Sequence, residues 1–157
     1  MIFNSLHPNS KIWLYISSIS INNIKQEKIS LLFKEFNDEW KSHGEKISGA
    51  LKFIGNNILI IGANYLGGDM CGRSVDAQVR FVSQIDQEFG IDLLNRNNLA
   101  FSISEIICVF NFNEIENLIR EEKINRKTIF FNNYCSKNSD FLQLSFEDSP
   151  LGLRYFS

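Results

Sequence analysis

The chain has 157 residues, 44% of them hydrophobic, and a formal net charge of −2. This length is typical of one domain, which buries roughly two thirds of the surface that its unfolded chain exposes. The weak net charge, with lysines and arginines scattered along the chain, excludes the strongly basic surface of most nucleic-acid-binding domains. We therefore expect no nucleic-acid partner.

The cysteines Cys71, Cys108 and Cys135 are odd in number and far apart, which predicts free thiols in a reducing compartment rather than disulfides. With two histidines and no local carboxylate pairing, a metal site is not expected, and no motif indicates a cofactor. The apolar run Ile12–Ile16 is too short for a signal peptide or a membrane span. We expect a cytoplasmic protein without membrane association.

The first predicted elements are a strand and a long helix. Residues Lys11–Ser17 are rich in β-branched and aromatic side chains, which predicts a strand. A helix follows from a capping box of Asn23 and Gln26, with apolar residues at helical spacing. It is predicted to end at His43-Gly44, where Gly44 suits the left-handed residue after a helix.

A hairpin and a second helix are predicted next. Residues 47–53 and 58–63 are strand-like and are separated by the turn residues 55–57, which predicts an antiparallel pair. After a glycine-rich loop, a helix capped by Ser74 is predicted to end at Gly90. Its apolar face is formed by Val75, Val79, Val82, Ile85 and Phe89.

The last third of the chain adds three predicted strands, two short helices and an apolar tail at 151–156 that docks on the body. A capping box of Asn113 and Glu116 begins one helix, and Ser136 begins the other. The strands cover 98–102, 106–110 and 128–131. The element order predicts an α+β fold: an antiparallel sheet with helices packed on one face, a ferredoxin-like βαββαβ core and appended C-terminal elements.

The loop from Gly67 to Ser74 is the strongest candidate for a ligand site. Glycines before a helix let backbone N–H groups converge on an anion, here beside Gly72, Arg73 and Ser74. The loop lacks the G-x-x-x-x-G-K-[ST] pattern, so it is not a P-loop. A purely structural role, with Ser74 as cap and Asp76 opposing the helix dipole, is the favoured alternative.

Three other polar residues, Arg80, Arg96 and Asn132, are candidates with structural alternatives. Arg80 and Arg96 can add positive charge to a ligand site, although an internal ion pair of Arg80 with Asp92 or Asp76 is the favoured role. Asn132 can line a cleft or close a turn, and turn chemistry is the safer assignment.

A nucleophilic site would combine Cys71 with His43, because a thiolate needs a base or a helix N-terminus nearby. Nothing in the sequence shows that the two residues meet. Free cysteines are more often small buried hydrophobic residues, so the sequence argues against this reading.

Several segments together carry a resemblance to a known family. They are Trp40, His43-Gly44, 74–81, 91–93 with Arg96, 131–133 and 154–156. From Ser10 to the C-terminus the chain resembles a family of short bacterial proteins often labelled "ABC transporter ATPase". The label implies ATP hydrolysis, but the chain has no Walker lysine and is too short for an ABC ATPase domain.

The family's Gly-Cys-Ser-Ile-Asp pattern reads Gly72-Arg73-Ser74-Val75-Asp76 in this chain. A cysteine nucleophile carried over from the family would fall on Arg73, while Cys71 lies two positions earlier. The polar residues that do carry over are His43, Ser74, Asp76, Arg80, Asp92, Arg96 and Asn132.

Three hypotheses follow. In the first, a non-catalytic domain binds a protein partner or a small anionic ligand at the Gly67–Ser74 loop, with Arg80 and Arg96. In the second, a small hydrolase or transferase uses His43 as base, Asp76 to orient it and helix N–H groups to stabilise an oxyanion. In the third, the chain forms a homodimer through exposed aromatic surface.

Overall fold

The computed structural model describes residues 1–64 and 70–156, and the following structural statements concern these residues. Their helices and antiparallel strands form an α+β fold, as predicted. In chain order the elements are β1 (Lys11–Ile16), α1 (Asn23–Glu39), β2 (Lys41–Ser42), β3 (Glu45–Lys46), β4 (Gly49–Ile54), β5 (Ile58–Ala63), α2 (Gly72–Phe89), β6 (Asn98–Ile103), β7 (Ile106–Asn111), α3 (Ile115–Arg120), β8 (Ile129–Phe131) and β9 (Gln143–Ser145). Short 3₁₀ turns cover Phe112–Glu114, Phe146–Asp148 and Gly152–Arg154.

The first sheet has the strand order β1-β5-β4, and β4 and β5 form the predicted hairpin. Its central strand β5 is an unbroken apolar run, which is typical of a strand covered on both faces. Leu59 and Ile61 lie in one core with buried residues of α1 and α2, such as Phe33 and Phe81. Both long helices therefore cover the same face of this sheet.

The second sheet has the order β7-β6-β8-β9 and covers the other face of the first. Ala100 of β6 shares a core with Ile58 and Ile60 of β5. The alternate residue Phe101 points the opposite way, into a third core with α3 and the C-terminal tail. The layers are thus the two long helices, the first sheet, the second sheet, and α3 with the tail.

The ferredoxin-like core is not confirmed in detail. The first three predicted strands have the expected order, but the fourth lies in β6, which pairs with β7 and β8 in the second sheet. Leu99 and Phe101 of β6 face the third core while Ala100 faces the first sheet. Because Leu99, Ala100 and Phe101 are buried on alternate faces of β6, the strand is stabilised between two layers rather than at the edge of the first sheet.

The first helix ends earlier than predicted. α1 stops at Glu39, and Trp40 is already extended, with φ −74° and ψ 124°. His43 and Gly44 have φ values of 52° and 78°. Two successive positive φ values match the tight turn of a hairpin, so these residues join β2 to β3. The helix cap is Asn22 rather than Asn23, with its side chain accepting the Lys25 N–H.

The second helix begins before its predicted cap. Its N-cap is Cys71, so Ser74 lies inside the first turn, while Gly90 closes the helix with φ 63°, as predicted. The loop residues Gly67, Gly68 and Asp69 lie outside the described part of the chain.

Two further predicted helix caps are wrong. The capping box before α3 consists of Asn111 and Glu114 instead of Asn113 and Glu116. Ser136 begins no helix, because the Asp140 carboxylate accepts the N–H groups of Ser136 and Lys137 and closes a turn.

The predicted docking of the C-terminal tail is confirmed. Leu151 is buried, and the rings of Phe146 and Phe156 lie 5.6 Å apart, edge to face. The Ser149 hydroxyl donates to the Phe146 carbonyl at 2.7 Å and accepts the Gly152 N–H at 2.9 Å. The backbone at Gly152 is so close to this turn that no side chain fits there.

The Asp92 carboxylate joins the end of β1 to the start of β6. It accepts the Ser17 hydroxyl at 2.9 Å, the Ser18 N–H at 2.7 Å and the Ser18 hydroxyl at 2.6 Å. The Asn98 amide donates to it at 3.1 Å and to the Ile16 carbonyl at 3.0 Å. Partial burial raises the pKa of Asp92, but these hydrogen bonds outweigh it and hold the pKa below its ordinary value of 3.8.

We expect Gly152→Ala to destabilise the fold by about 3 kcal/mol, because the added methyl carbon would lie 1.6 Å from the Phe146 carbonyl oxygen. Urea unfolding measures the loss. Leu153→Ala is the matched control, since Leu153 is exposed on the same turn and its truncation removes little packing. Equal stability of the two variants would contradict the tail packing.

We expect Asp92→Asn to lower the free energy of unfolding by about 1–2 kcal/mol at neutral pH. Since the pKa of Asp92 is lower in the folded state, its carboxylate stabilises the fold above pH 3.8, and that contribution is lost as pH falls through the folded value. Urea unfolding at decreasing pH should therefore show wild type and variant converging in acid. Asp76→Asn is the control, because Asp76 is exposed. A difference that persists in strong acid would rule out this electrostatic origin.

Candidate functional site

A cavity of about 710 Å³ lies beside the N-terminus of α2 and is called the first cavity below. The end of α1, the β2–β3 turn and the start of α2 form its walls. It is lined by Phe36, Glu39, Trp40, Lys41, His43, Gly44, Cys71, Gly72, Arg73, Ser74 and Ala77. The cavity combines an aromatic wall, three basic side chains, one carboxylate and one thiol.

Hydrogen bonds hold the β2–β3 hairpin against the start of α2. The Trp40 indole N–H donates to the Ser74 carbonyl at 3.0 Å, and the Ser74 hydroxyl donates to the Lys41 carbonyl. The Cys71 N–H donates to the hydroxyl of buried Ser42 at 3.1 Å. The hairpin is therefore positioned by α2, and its turn is brought to the thiol.

The Cys71 thiol is surrounded by donors. Its Sγ lies 3.0 Å from the Ser74 Oγ. The Ser74 and Ser42 hydroxyls and the N–H groups of Ser74 and His43 lower the pKa of Cys71 to about 6, against a smaller opposing effect of burial. The helix N-terminus also favours the thiolate. These groups therefore favour the thiolate form of Cys71.

The hydroxyl of Ser74 has a single proton, and two acceptors compete for it. While Cys71 is a thiol, its S–H can donate to the Ser74 Oγ, which in turn donates to the Lys41 carbonyl. To stabilise the thiolate, the Ser74 proton must turn from that carbonyl to the sulfur. Replacing Ser74 therefore measures how much a side-chain donor lowers the pKa of Cys71.

Four of the residues selected from the sequence meet in the first cavity: His43, Gly72, Arg73 and Ser74. His43 and Arg73 are exposed at its surface. Within residues 1–64 and 70–156, the His43 imidazole makes no hydrogen bond, and its backbone N–H is the group that reaches the sulfur. Cys71 and His43, which the sequence could not bring together, thus share one cavity.

The other four selected residues lie elsewhere. Asp76 and Arg80 are exposed on α2 and do not line the first cavity. Arg96 lines a second cavity, on a different face of α2. Asn132 closes a turn: its amide donates to the Phe141 carbonyl at 3.2 Å and its oxygen accepts the Tyr134 N–H at 3.1 Å.

The ion pair expected for Arg80 is not formed in the described part of the chain. The salt bridges found there join Lys123 to Glu121, and Arg126 and Lys127 to Glu147. The Asp92 carboxylate instead accepts hydrogen bonds from Ser17, Ser18 and Asn98. Asp76 is exposed on the same helix as Arg80.

Sequence reasoning missed Ser42 and the structural role of Trp40. The sequence feature that indicates their position is the His43-Gly44 pair, which suits a two-residue hairpin turn as well as the predicted helix end. A hairpin here would have predicted that Ser42 and His43 approach a neighbouring element.

Among the residues that the structure describes, no group of three histidine, cysteine or acidic side chains could hold a metal ion. In the same residues, no helix has the length and apolar character needed to cross a membrane. Comparison of the chain with protein-family models, curated proteins and solved structures finds no match.

We expect iodoacetamide to modify Cys71 before the other cysteines, with a rate that rises through a pH near 6. Burial raises the pKa of Cys135 to about 11, so it should react last. Peptide mass mapping of the alkylated protein across a pH series measures the order in which the cysteines react and the pH midpoint of the Cys71 rate.

Ser74→Ala is expected to move the Cys71 midpoint upward, because a donor to the sulfur is lost. Ser83→Ala, a serine farther along α2, is the matched control. An unchanged midpoint in Ser74→Ala would mean that Ser74 keeps its proton on the Lys41 carbonyl.

Proposed function

We propose that the chain is a small hydrolase or transferase in which Cys71 is the nucleophile and activated acyl groups are the substrates. The observation that carries the proposal is the position of the Cys71 Sγ: it lies at the N-terminus of an 18-residue helix, 3.0 Å from the Ser74 Oγ, in the wall of an open cavity. A stabilised thiolate beside free space is the basic requirement of thiol catalysis.

In the proposed reaction, the thiolate attacks the carbonyl carbon of the substrate, a C–S bond forms and the carbonyl electron pair moves to oxygen. The N–H groups of Gly72 and Arg73 belong to the first turn of α2, whose amides have no carbonyl partner within the helix. They are the donors nearest to Cys71 along the helix and would stabilise the oxyanion. Collapse of this intermediate expels the leaving group and leaves an acyl-cysteine.

His43 is the proposed base of the second step. It lines the same cavity as Cys71 and would take a proton from water, in a hydrolase, or from an acceptor molecule, in a transferase. Asp76 lies outside this cavity, so the proposal does not use it to orient the histidine. Trp40 and Phe36 supply an apolar wall for the acyl group.

This reaction is favoured over simple binding of an anion at the same place. The pKa of Cys71, lowered to about 6 by Ser74, Ser42 and His43, places the negative charge of this site on the sulfur itself. A bound anion would face that charge at close range. Arg80 and Arg96, which the binding hypothesis required, do not line the first cavity.

A reducing compartment protects an accessible thiolate from oxidation, so the proposal places the protein in the cytoplasm. The three free cysteines of the structure support this placement. We propose that the chain shares ancestry with the short bacterial proteins labelled ABC transporter ATPases. ATP hydrolysis is not part of the proposal, because the chain has no Walker lysine.

The test is hydrolysis of p-nitrophenyl acetate by the purified protein. We expect product in excess of protein, and Cys71→Ser to lower the rate by about a hundredfold or more. Cys108→Ser is the matched control and should keep full activity. Retention of activity in Cys71→Ser would refute the proposal.

His43→Ala should slow the second step more than the first. Intact-mass measurement is then expected to show acyl groups accumulating on Cys71, whereas Asp76→Asn behaves as wild type. If His43→Ala leaves turnover unchanged, His43 is not the base.

A further inference from the structure

The second cavity has a volume of about 640 Å³ and lies between β1, α2 and the loops at 93–98 and 133–136. It is lined by different residues of α2 from those at the first cavity, among them Val75, Gln78 and Val79. Its size is in the usual range of small-molecule sites. The reaction proposed at Cys71 does not involve the second cavity.

Two buried polar atoms beside this cavity have no partner in the described residues: the Gln78 Nε2 and the Asn133 Oδ1. Gln78 is completely buried, and both residues line the cavity. A buried polar atom that is left unpaired destabilises the fold. An occupant that offers one acceptor and one donor would remove both penalties.

The orientation of Gln78 is set by Tyr15. The Tyr15 hydroxyl donates to the Gln78 Oε1 at 2.8 Å. Burial raises the pKa of Tyr15, so the hydroxyl stays protonated and remains the donor. The Nε2 is then the free end of the amide, and it requires an acceptor such as a carbonyl oxygen.

The charged side chains that line the second cavity, Lys11 and Arg96, are both basic. Arg96 is exposed and forms no ion pair within residues 1–64 and 70–156, and Lys11 also lines the cavity. No aspartate or glutamate is among the described lining residues. Trp13, Val79 and Leu93 add apolar wall. These features suit a ligand with a carboxylate and an apolar group.

We propose that the second cavity binds a small carboxylic acid that also carries an amide group, as in an N-acyl amino acid or a dipeptide. The ligand carbonyl accepts from the Gln78 Nε2, the ligand N–H donates to the Asn133 Oδ1, and the carboxylate pairs with Arg96. The apolar side chain of the ligand packs on Val79 and Leu93. This site is independent of the proposed function of Cys71.

The test is isothermal titration with N-acetylleucine, and with its carboxamide, which lacks the carboxylate. All proteins carry Cys71→Ser, so that chemistry in the first cavity cannot contribute. We expect saturable binding of N-acetylleucine at one site, weakened about tenfold by loss of either the carboxylate or Arg96 in Arg96→Ala. Arg80→Ala is the matched control, because Arg80 is exposed on α2 and lines neither cavity.

Gln78→Met keeps the length of the side chain and removes its amide. It is expected to weaken binding about tenfold, because the donor to the ligand carbonyl is lost. If Gln78→Met does not fold, Arg96→Ala still decides the question.

Absence of saturable binding by N-acetylleucine would overturn the proposal and indicate that water satisfies Gln78 and Asn133. Binding that is equal in Arg96→Ala and Arg80→Ala would overturn it too, since the ligand would then lie elsewhere.

Discussion

Complete burial of β5 on both faces is the constraint on which the rest of the fold depends. Ile58, Leu59, Ile60 and Ile61 are each 0% exposed, although neighbouring side chains of a strand point in opposite directions. Neither face of the first sheet can therefore meet water at its centre. One face packs against the two long helices, and the other packs against the second sheet and the N-terminal segment. There Leu6 and Phe3 approach Gly62 so closely that a Cβ at this position would lie 2.7 Å from the Leu6 side chain.

This arrangement determines where the two cavities lie. α2 packs on the first sheet through Phe81, Val82 and Ile85 near its middle and C-terminal half. Its start extends to the β2–β3 hairpin and carries Cys71, while Gln78 faces β1 across the Tyr15 hydrogen bond. One helix thus contributes a thiol to one cavity and a buried amide to another.

Asp92 and Cys71 are stabilised as anions by neutral donors, whereas Glu147 is paired with the cations Arg126 and Lys127. Asp92 accepts hydroxyl, amide and backbone N–H groups, and the Cys71 thiolate is served by Ser42, Ser74 and two backbone N–H groups. Neutral donors lower a pKa without forming a fixed ion pair.

The sequence alone determined the α+β class, both long helices, the β4–β5 hairpin, and the docking of the tail, because each depends on local periodicity or on turn residues. Gly90, for example, ends α2 as predicted because a left-handed residue after a helix is a local requirement. Only the tertiary structure decided that β6 belongs to a second sheet and that His43-Gly44 is a hairpin turn beside Cys71. The short β2–β3 hairpin has two residue pairs and no core of its own, so its position is fixed by the contacts of Trp40, Lys41 and Ser42 with a helix far along the chain. The candidate site is built from such long-range contacts, which residue spacing does not encode.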